Sequence, residues 1–216
     1  MDPAVAKAIE RKLGHVPKRG SSALHELTTL TVSRAYGIDG IECCERLEIF
    51  ILAGCEIQSV PEVQSLQQLR TFAVADSALE NVEGLAGLHV DTVHLERNRV
   101  ADISPLLDCP DLIDVELAGN PLSLHSYKQV IPELTKRGCR VATPGDREHQ
   151  LMLMLNEQNL PFSYYKSRDG YRLCRPGLSF TGSPEVNHPV VEPDELERML
   201  RTDPALVVGM FSTTDS

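Results

Sequence analysis

Long apolar runs are missing from this 216-residue chain: none reaches the roughly 18 residues that a membrane-spanning helix needs, so no membrane association is expected. The opening segment also lacks an apolar stretch. Met1 to Gly14 carries Asp2, Lys7, Glu10, Arg11 and Lys12, which is not the pattern of a secretory signal peptide. Cysteine is sparse and scattered. Cys43, Cys44, Cys55, Cys109, Cys139 and Cys174 show no CxxC spacing, which argues against a disulfide scaffold and a structural zinc site. Several of them stand where a small apolar side chain is wanted, so they are expected to be reduced core thiols of a cytoplasmic protein. Neither a metal nor a cofactor is expected.

Positive charge is also in short supply. The formal net charge is −10, and it is uneven: residues 1–20 hold five Lys/Arg against two Asp/Glu, 21–145 nine against eighteen, and 146–216 seven against eleven. Recognition of a nucleic-acid backbone needs clustered Lys/Arg, so an acidic body argues against it. It suits a basic protein partner, although acidity also simply keeps proteins soluble.

What the chain does contain is a repeat. The unit L-x-x-L-x-L-x-x-N-x-I-x-x-I is matched by Leu47, Phe50, Leu52, Cys55, Ile57 and Val60, and then by Leu69, Phe72, Val74, Ser77, Leu79 and Val82. It recurs as Val90, Val93, Leu95, Asn98, Val100 and Ile103, and as Leu112, Val115, Leu117, Asn120 and Leu122. An irregular earlier copy fits Leu27, Leu30, Val32 and Ala35, with Ile38 and Ile41 displaced by one residue. Starting positions 27, 47, 69, 90 and 112 give spacings of 20, 22, 21 and 22, within the roughly 20–29 residues of leucine-rich repeats. In L-x-L the leucines point into a solenoid and the intervening residues point to its concave face. An asparagine after the strand can bond backbone groups with its amide. One repeat cannot bury its own apolar face, so the stack needs neighbours and caps. Ala4, Val5, Ala8, Ile9 and Leu13 recur at helical spacing as an entry cap. After Asn120-Pro121-Leu122-Ser123, the residues Tyr127, Val130, Ile131 and Leu134 predict a closing helix, and Val141 a short strand.

The runs Ala8 to Gly14, Leu24 to Leu30 and Gly37 to Glu42 resemble the helical cap and opening repeat of bacterial internalin-like repeat proteins. Ala101-Asp102-Ile103-Ser104-Pro105-Leu106 looks like their inter-repeat turn. Gly119-Asn120-Pro121-Leu122, with Tyr127 and Ile131-Pro132-Glu133-Leu134, is similar to the terminal repeat of the wider short-repeat class. The resemblance covers about two thirds of the chain and implies a non-catalytic protein-binding module. The signal peptide and surface anchor of secreted internalins are not recognised, so host-cell adhesion is not implied.

The register names a recognition face. Thr31, Ile51, Ala73, His94 and Glu116 form its central row. Thr29, Ile49, Thr71, Thr92 and Asp114 flank it on one side, and Ser33, Ala53, Ala75, Glu96 and Ala118 on the other. Ile49, Ile51, Ala73, Thr92, His94, Glu96, Asp114 and Glu116 are therefore the candidate partner-binding residues, running from an apolar patch to an acidic corner. His94 beside Glu96 and Glu116 mimics a metal or acid–base cluster, but no further ligand stands at metal-like spacing.

Beyond Thr143-Pro144-Gly145 the period vanishes. A helix is expected over Asp146 to Gln158, then two strands, Phe162 to Lys166 and Tyr171 to Cys174, around a turn at Arg168-Asp169-Gly170. A helix follows from Pro193, and Val207 to Phe211 reads as a final strand. Tyr164, Tyr165 and Tyr171 with Lys166, Arg168, Arg172 and Arg175 make a cationic, aromatic cluster, read as a hairpin with one solvated face. Cys174, His188 and Asp194 are the residue types of a thiol nucleophile, base and orienter, in no recognisable order.

The expected architecture is α/β: a helical cap over 1–22, a capped leucine-rich-repeat solenoid of about five repeats over 23–143, and a small α+β unit over 146–216. The expected function is non-enzymatic binding of a protein partner, a basic one favoured by charge, with the chain monomeric when free. Its sharpest form is a bacterial immunity protein, or antitoxin. The alternative is an effector or enzyme whose C-terminal unit acts while the repeats select the substrate.

Overall fold

The computed structural model describes residues 1–18, 20–177 and 188–212. Its centre is one parallel sheet in strict sequential order, β1 (Thr29–Ser33), β2 (Ile49–Ala53), β3 (Thr71–Ala75), β4 (Thr92–His94), β5 (Asp114–Glu116) and β6 (Arg140–Ala142). The strand register equals the repeat register: Leu30 pairs with Phe50, Phe50 with Phe72, Phe72 with Val93, and Val93 with Val115. Those side chains, with Val32, Leu52, Val74, Leu95 and Leu117, are buried in a single apolar core. On the other side of that core, 3-10 turns at Ile41–Cys43, Pro61–Ser65, Glu83–Leu85 and Ser104–Asp108 return the chain to the next strand. They insert Ile41, Val63, Leu85 and Leu106 into it.

Strands β1 to β5 each end in the same backbone device. The residue after the third solvent-facing position has positive φ in every repeat: Arg34, Gly54, Asp76, Arg97 and Gly119. At the first four of these, the N–H donates to the carbonyl of the next strand's flank, at Ala53, Ala75, Glu96 and Ala118. Left-handed backbone disfavours residues with a Cβ, so Arg34, Asp76 and Arg97 are there against local preference. The asparagine position follows. Asn98 Nδ2 donates to the carbonyls of Val74 (2.7 Å), Leu95 (3.0 Å) and Glu96 (3.1 Å). Asn120 Nδ2 donates to Leu95 (2.6 Å) and Leu117 (3.1 Å), while its Oδ1 accepts from Val100 N (3.0 Å). Ser77 does less with its hydroxyl, donating to Ala75 O and accepting from Cys55 N, both at 2.9 Å.

Both open ends are covered. α1 (Pro3–Leu13) is capped by Asp2, whose carboxylate accepts from Ala4 N at 2.7 Å, and it ends at Gly14 in the left-handed region. Its buried Val5, Ala8 and Ile9 join the core beside β1. The short α2 (Ser22–His25) adds Leu24. At the far end a π turn, Ser126–Val130, runs into α3 (Ile131–Lys136), whose Leu134 with Val130 covers the last repeat before β6.

The C-terminal unit has its own apolar core, built from α4 (Asp146–Glu157), the antiparallel hairpin β7 (Ser163–Ser167) and β8 (Gly170–Cys174), and α5 (Pro193–Thr202). The stretch expected as a final strand is instead a helix, α6 (Ala205–Ser212). Val207 and Val208 favour a strand locally, but Asp203 accepts from Ala205 N at 3.0 Å, and Pro204 suits a helix start. The helix then buries Val207 and stacks Phe211 on Phe162 at 4.7 Å. Among the described residues, no helix is long and apolar enough to cross a membrane.

Asn120→Ala leaves three buried backbone groups, Leu95 O and Val100 N of one repeat and Leu117 O of the next, without their partner. We expect a loss of roughly 2–4 kcal/mol, read as a lower urea midpoint at unchanged denaturant slope.

Candidate functional site

The alternation of the strands divides each repeat between core and solvent, and the register then aligns the solvent-facing residues in rows. One row is Thr29, Ile49, Thr71, Thr92, Asp114 and Arg140; the next is Thr31, Ile51, Ala73, His94, Glu116 and Ala142. All eight candidate residues, Ile49, Ile51, Ala73, Thr92, His94, Glu96, Asp114 and Glu116, are half-buried on this one side of the sheet. Ile49 and Ile51 lie beside Thr71 and Ala73 across the β2–β3 pair, so the apolar patch sits off-centre, toward the entry cap.

Charge on this face departs from the expected acidic corner. Arg140, from β6, places Nη2 2.6 Å from Asp114 Oδ2 and Nη1 3.7 Å from Glu116 Oε1. His94 Nε2 lies 3.4 Å from the same Asp114 oxygen. At the other end a groove of about 460 Å³ lies between α1 and β1, lined by Lys7, Arg11, Arg34, Thr31 and Ser33 among others. The face therefore grades from cationic, through apolar, to an acidic end partly neutralised by Arg140. Arg140 was missed because the closing strand sits outside the repeat period, so the register of the five copies could not place it.

A second cluster lies along the strand ends, where the C-terminal unit meets the solenoid. Asp76 and Arg97 occupy adjacent left-handed positions, so their side chains emerge side by side. Arg97 Nε donates to Asp76 Oδ1 at 2.6 Å and Nη2 to Oδ2 at 2.9 Å, with Asp76 only 3% exposed. From the other side, Cys174 Sγ donates to Asp76 Oδ1 at 3.3 Å, and Gly177 N donates to Asp76 O at 2.8 Å. The Arg97 guanidinium lies 5.0 Å from the Tyr165 ring centroid, and the Tyr165 hydroxyl is 2.8 Å from His188 Nδ1. Ser163 Oγ reaches Asn98 O at 3.3 Å, and His149 Nε2 lies 2.6 Å from Leu122 O.

Cys174 and His188 thus come together, whereas Asp194 does not join them; it pairs with Arg147 at 2.7 Å. Burial, reinforced by the Asp76 carboxylate, holds the Cys174 thiol well above its ordinary range. Burial lowers His188 to about 4 against the pull of Asp76, with Arg97 and Arg172 adding to the lowering. A thiol attacks as its thiolate, so the pair as arranged presents a protonated thiol beside a neutral imidazole. The seam was not legible in the sequence, because Asp76 and Cys174 are 98 residues apart. The one available signal was charged residues at successive repeat positions, Asp76 and Arg97, where glycine is easier.

No family model matches the chain. Among curated proteins the chain is similar to the geranylgeranyl transferase type-2 subunit alpha of Rattus norvegicus, 39% identical over 66 residues, which are 29% of this chain and 12% of that one. Among solved structures it is similar to internalin C2 of Listeria monocytogenes, with a TM-score of 0.46, 18% identity, and 74% of this chain and 80% of that chain covered. A second internalin of the same organism gives a TM-score of 0.34 at 16% identity, covering 71% and 60%. The solenoid itself is established by its own strand register, burial and turn geometry.

The two ion pairs should separate sharply on mutation. Arg97→Ala leaves a buried carboxylate unpaired and is expected to cost about 3–5 kcal/mol. Arg140→Ala removes a guanidinium that is 68% exposed, and is expected to cost under about 1 kcal/mol. Chemical denaturation of the two variants checks the contrast.

Proposed function

We propose that the solvent face of the sheet is a protein-recognition surface and that the chain is a non-enzymatic binding module. The observation that carries this reading is the continuity of the face: six paired strands align solvent-facing side chains into rows, with apolar Ile49, Ile51 and Ala73 on β2–β3 and charged Asp114, Glu116 and Arg140 on β5–β6. A rigid stack gives such rows at no cost of ordering on binding, which is how solenoids are used. Ile49, Ile51 and Ala73 supply desolvated contact, and Thr92, His94, Glu96, Asp114 and Glu116 supply orientation and charge.

The partner presents an apolar segment to β2–β3 and a basic segment to β4–β5. A basic toxin domain neutralised by an immunity protein meets that description, since opposed charge speeds and orients association. Buried thiols such as Cys55 and Cys109 suit a reducing compartment such as the cytoplasm. The free chain is proposed to be a monomer.

A second reading makes the protein an effector or enzyme whose C-terminal unit acts while the repeats select the substrate. It is favoured by the meeting of Cys174 and His188, but that meeting includes Asp76 of the solenoid. Any such activity belongs to the whole chain and falls on Cys174→Ala.

Affinity purification with the wild type beside an Ile51→Arg, Glu116→Arg double variant tests the first reading. The expected outcome is loss of one specific partner, at least tenfold by quantitative recovery, with unchanged thermal melting. Equal recovery of every bound protein by the two chains overturns it.

A further inference from the structure

Cys174 differs from the other buried thiols of the described residues. Cys44, Cys55, Cys109 and Cys139 lie in the apolar core of the solenoid, whereas Cys174, 1% exposed, belongs to neither apolar core. Its neighbours are a carboxylate and an imidazole. An oxygen of Asp76, the Sγ of Cys174 and a ring nitrogen of His188 all lie within 4.8 Å of one another. Metal–ligand bonds of roughly 2.0–2.3 Å put the edges of a coordination tetrahedron at roughly 3.3–3.8 Å. The Cys174 Sγ–Asp76 Oδ1 separation, 3.3 Å, is already one such edge.

We propose that Asp76, Cys174 and His188 form a site for a thiophilic divalent cation, with Zn2+ as its type, which clamps the C-terminal unit to the solenoid. One ligand comes from a repeat and two from the appended unit, so the site exists only when the two are docked. The groups around it are those a metal ligand needs. His188 is held through Nδ1 by the Tyr165 hydroxyl at 2.8 Å, and through its carbonyl by Arg172 Nη1 at 2.9 Å; with Nδ1 so engaged, coordination is assigned to the other ring nitrogen, Nε2. Arg97 takes one lone pair on each Asp76 oxygen and fixes the carboxylate plane, leaving the lone pair that now accepts from the Cys174 thiol.

Charge decides which ion fits. Arg97 adds a positive charge beside the site, so a divalent cation is accommodated only when both Asp76 and Cys174 are anionic. Binding therefore breaks the Cys174 S–H bond, forms a sulfur–metal bond and releases one proton to solvent per ion. Mg2+ and Ca2+ seek several oxygen ligands, and here one carboxylate is on offer. A sulfur, nitrogen and oxygen donor set selects Zn2+ or Co2+. Three protein ligands leave a fourth position, for water.

Titration of the purified full chain with Co2+ alone, after chelator treatment, tests the site. The expected result is one Co2+ per chain with a thiolate-to-cobalt charge-transfer absorption, displaced by Zn2+ and unaffected by Mg2+. Cys174→Ser and His188→Gln abolish or displace that band, Cys109→Ala retains it, and Tyr165→Phe weakens binding by about 10–100-fold. Melting curves of each variant identify any that fails to fold, and the half-buried His188→Gln then carries the result. A wild-type chain that melts cooperatively yet gives no band, or a band that survives both Cys174→Ser and His188→Gln, overturns the proposal.

Discussion

No strand of this solenoid can bury its apolar side within its own repeat. Leu52, Val74 and Leu95 are dry only because the strands before and after them pair in the same register, and the energy of each repeat is therefore largely an interface energy. Everything else follows from that dependence. The ends must be capped, and so α1 and the α3–β6 segment exist. The step between strands must stay near-constant, and so each repeat closes with the same left-handed residue. The peptide groups left over at the turn must be satisfied, which Asn98 and Asn120 do from inside the core.

The same left-handed position explains the seam. It points its side chain off the strand ends, where Asp76 and Arg97 meet at bonding distance. A carboxylate that is 3% exposed would be costly alone, and a guanidinium in a bidentate grip offsets that cost. The C-terminal unit docks here with polar groups, Cys174 and Gly177 on Asp76 and Ser163 on the Asn98 carbonyl, while its apolar residues form a separate core. The junction is consequently specified by hydrogen-bond geometry. A slip of one repeat would set the Cys174 thiol against the position of Gly54 or Arg97, neither of which offers a carboxylate.

On the solvent face the constraint is weaker, and the residues show it. The rows vary from Thr to Ile to His to Glu with no common chemistry, as expected where packing does not dictate identity. What the stack imposes there is spacing and rigidity. Arg140 illustrates the consequence: the closing strand carries it onto the face, where it bridges Asp114 and Glu116 and softens the acidic end.

Periodicity alone determined β1 to β5, the solenoid core and the rows of the face as far as Asp114 and Glu116, because a 20–22 residue step combined with two-residue alternation leaves one arrangement in which the repeat's apolar positions are buried. Local chemistry likewise sufficed for the hairpin at Asp169-Gly170 and for α4. It failed at Val207–Phe211, where residue preference favoured a strand and packing against Phe162 favoured a helix. The seam was decided by the tertiary structure alone. Stacking of successive repeats sets Asp76 beside Arg97, and only the docking of the second core brings Cys174 and His188 within reach of them.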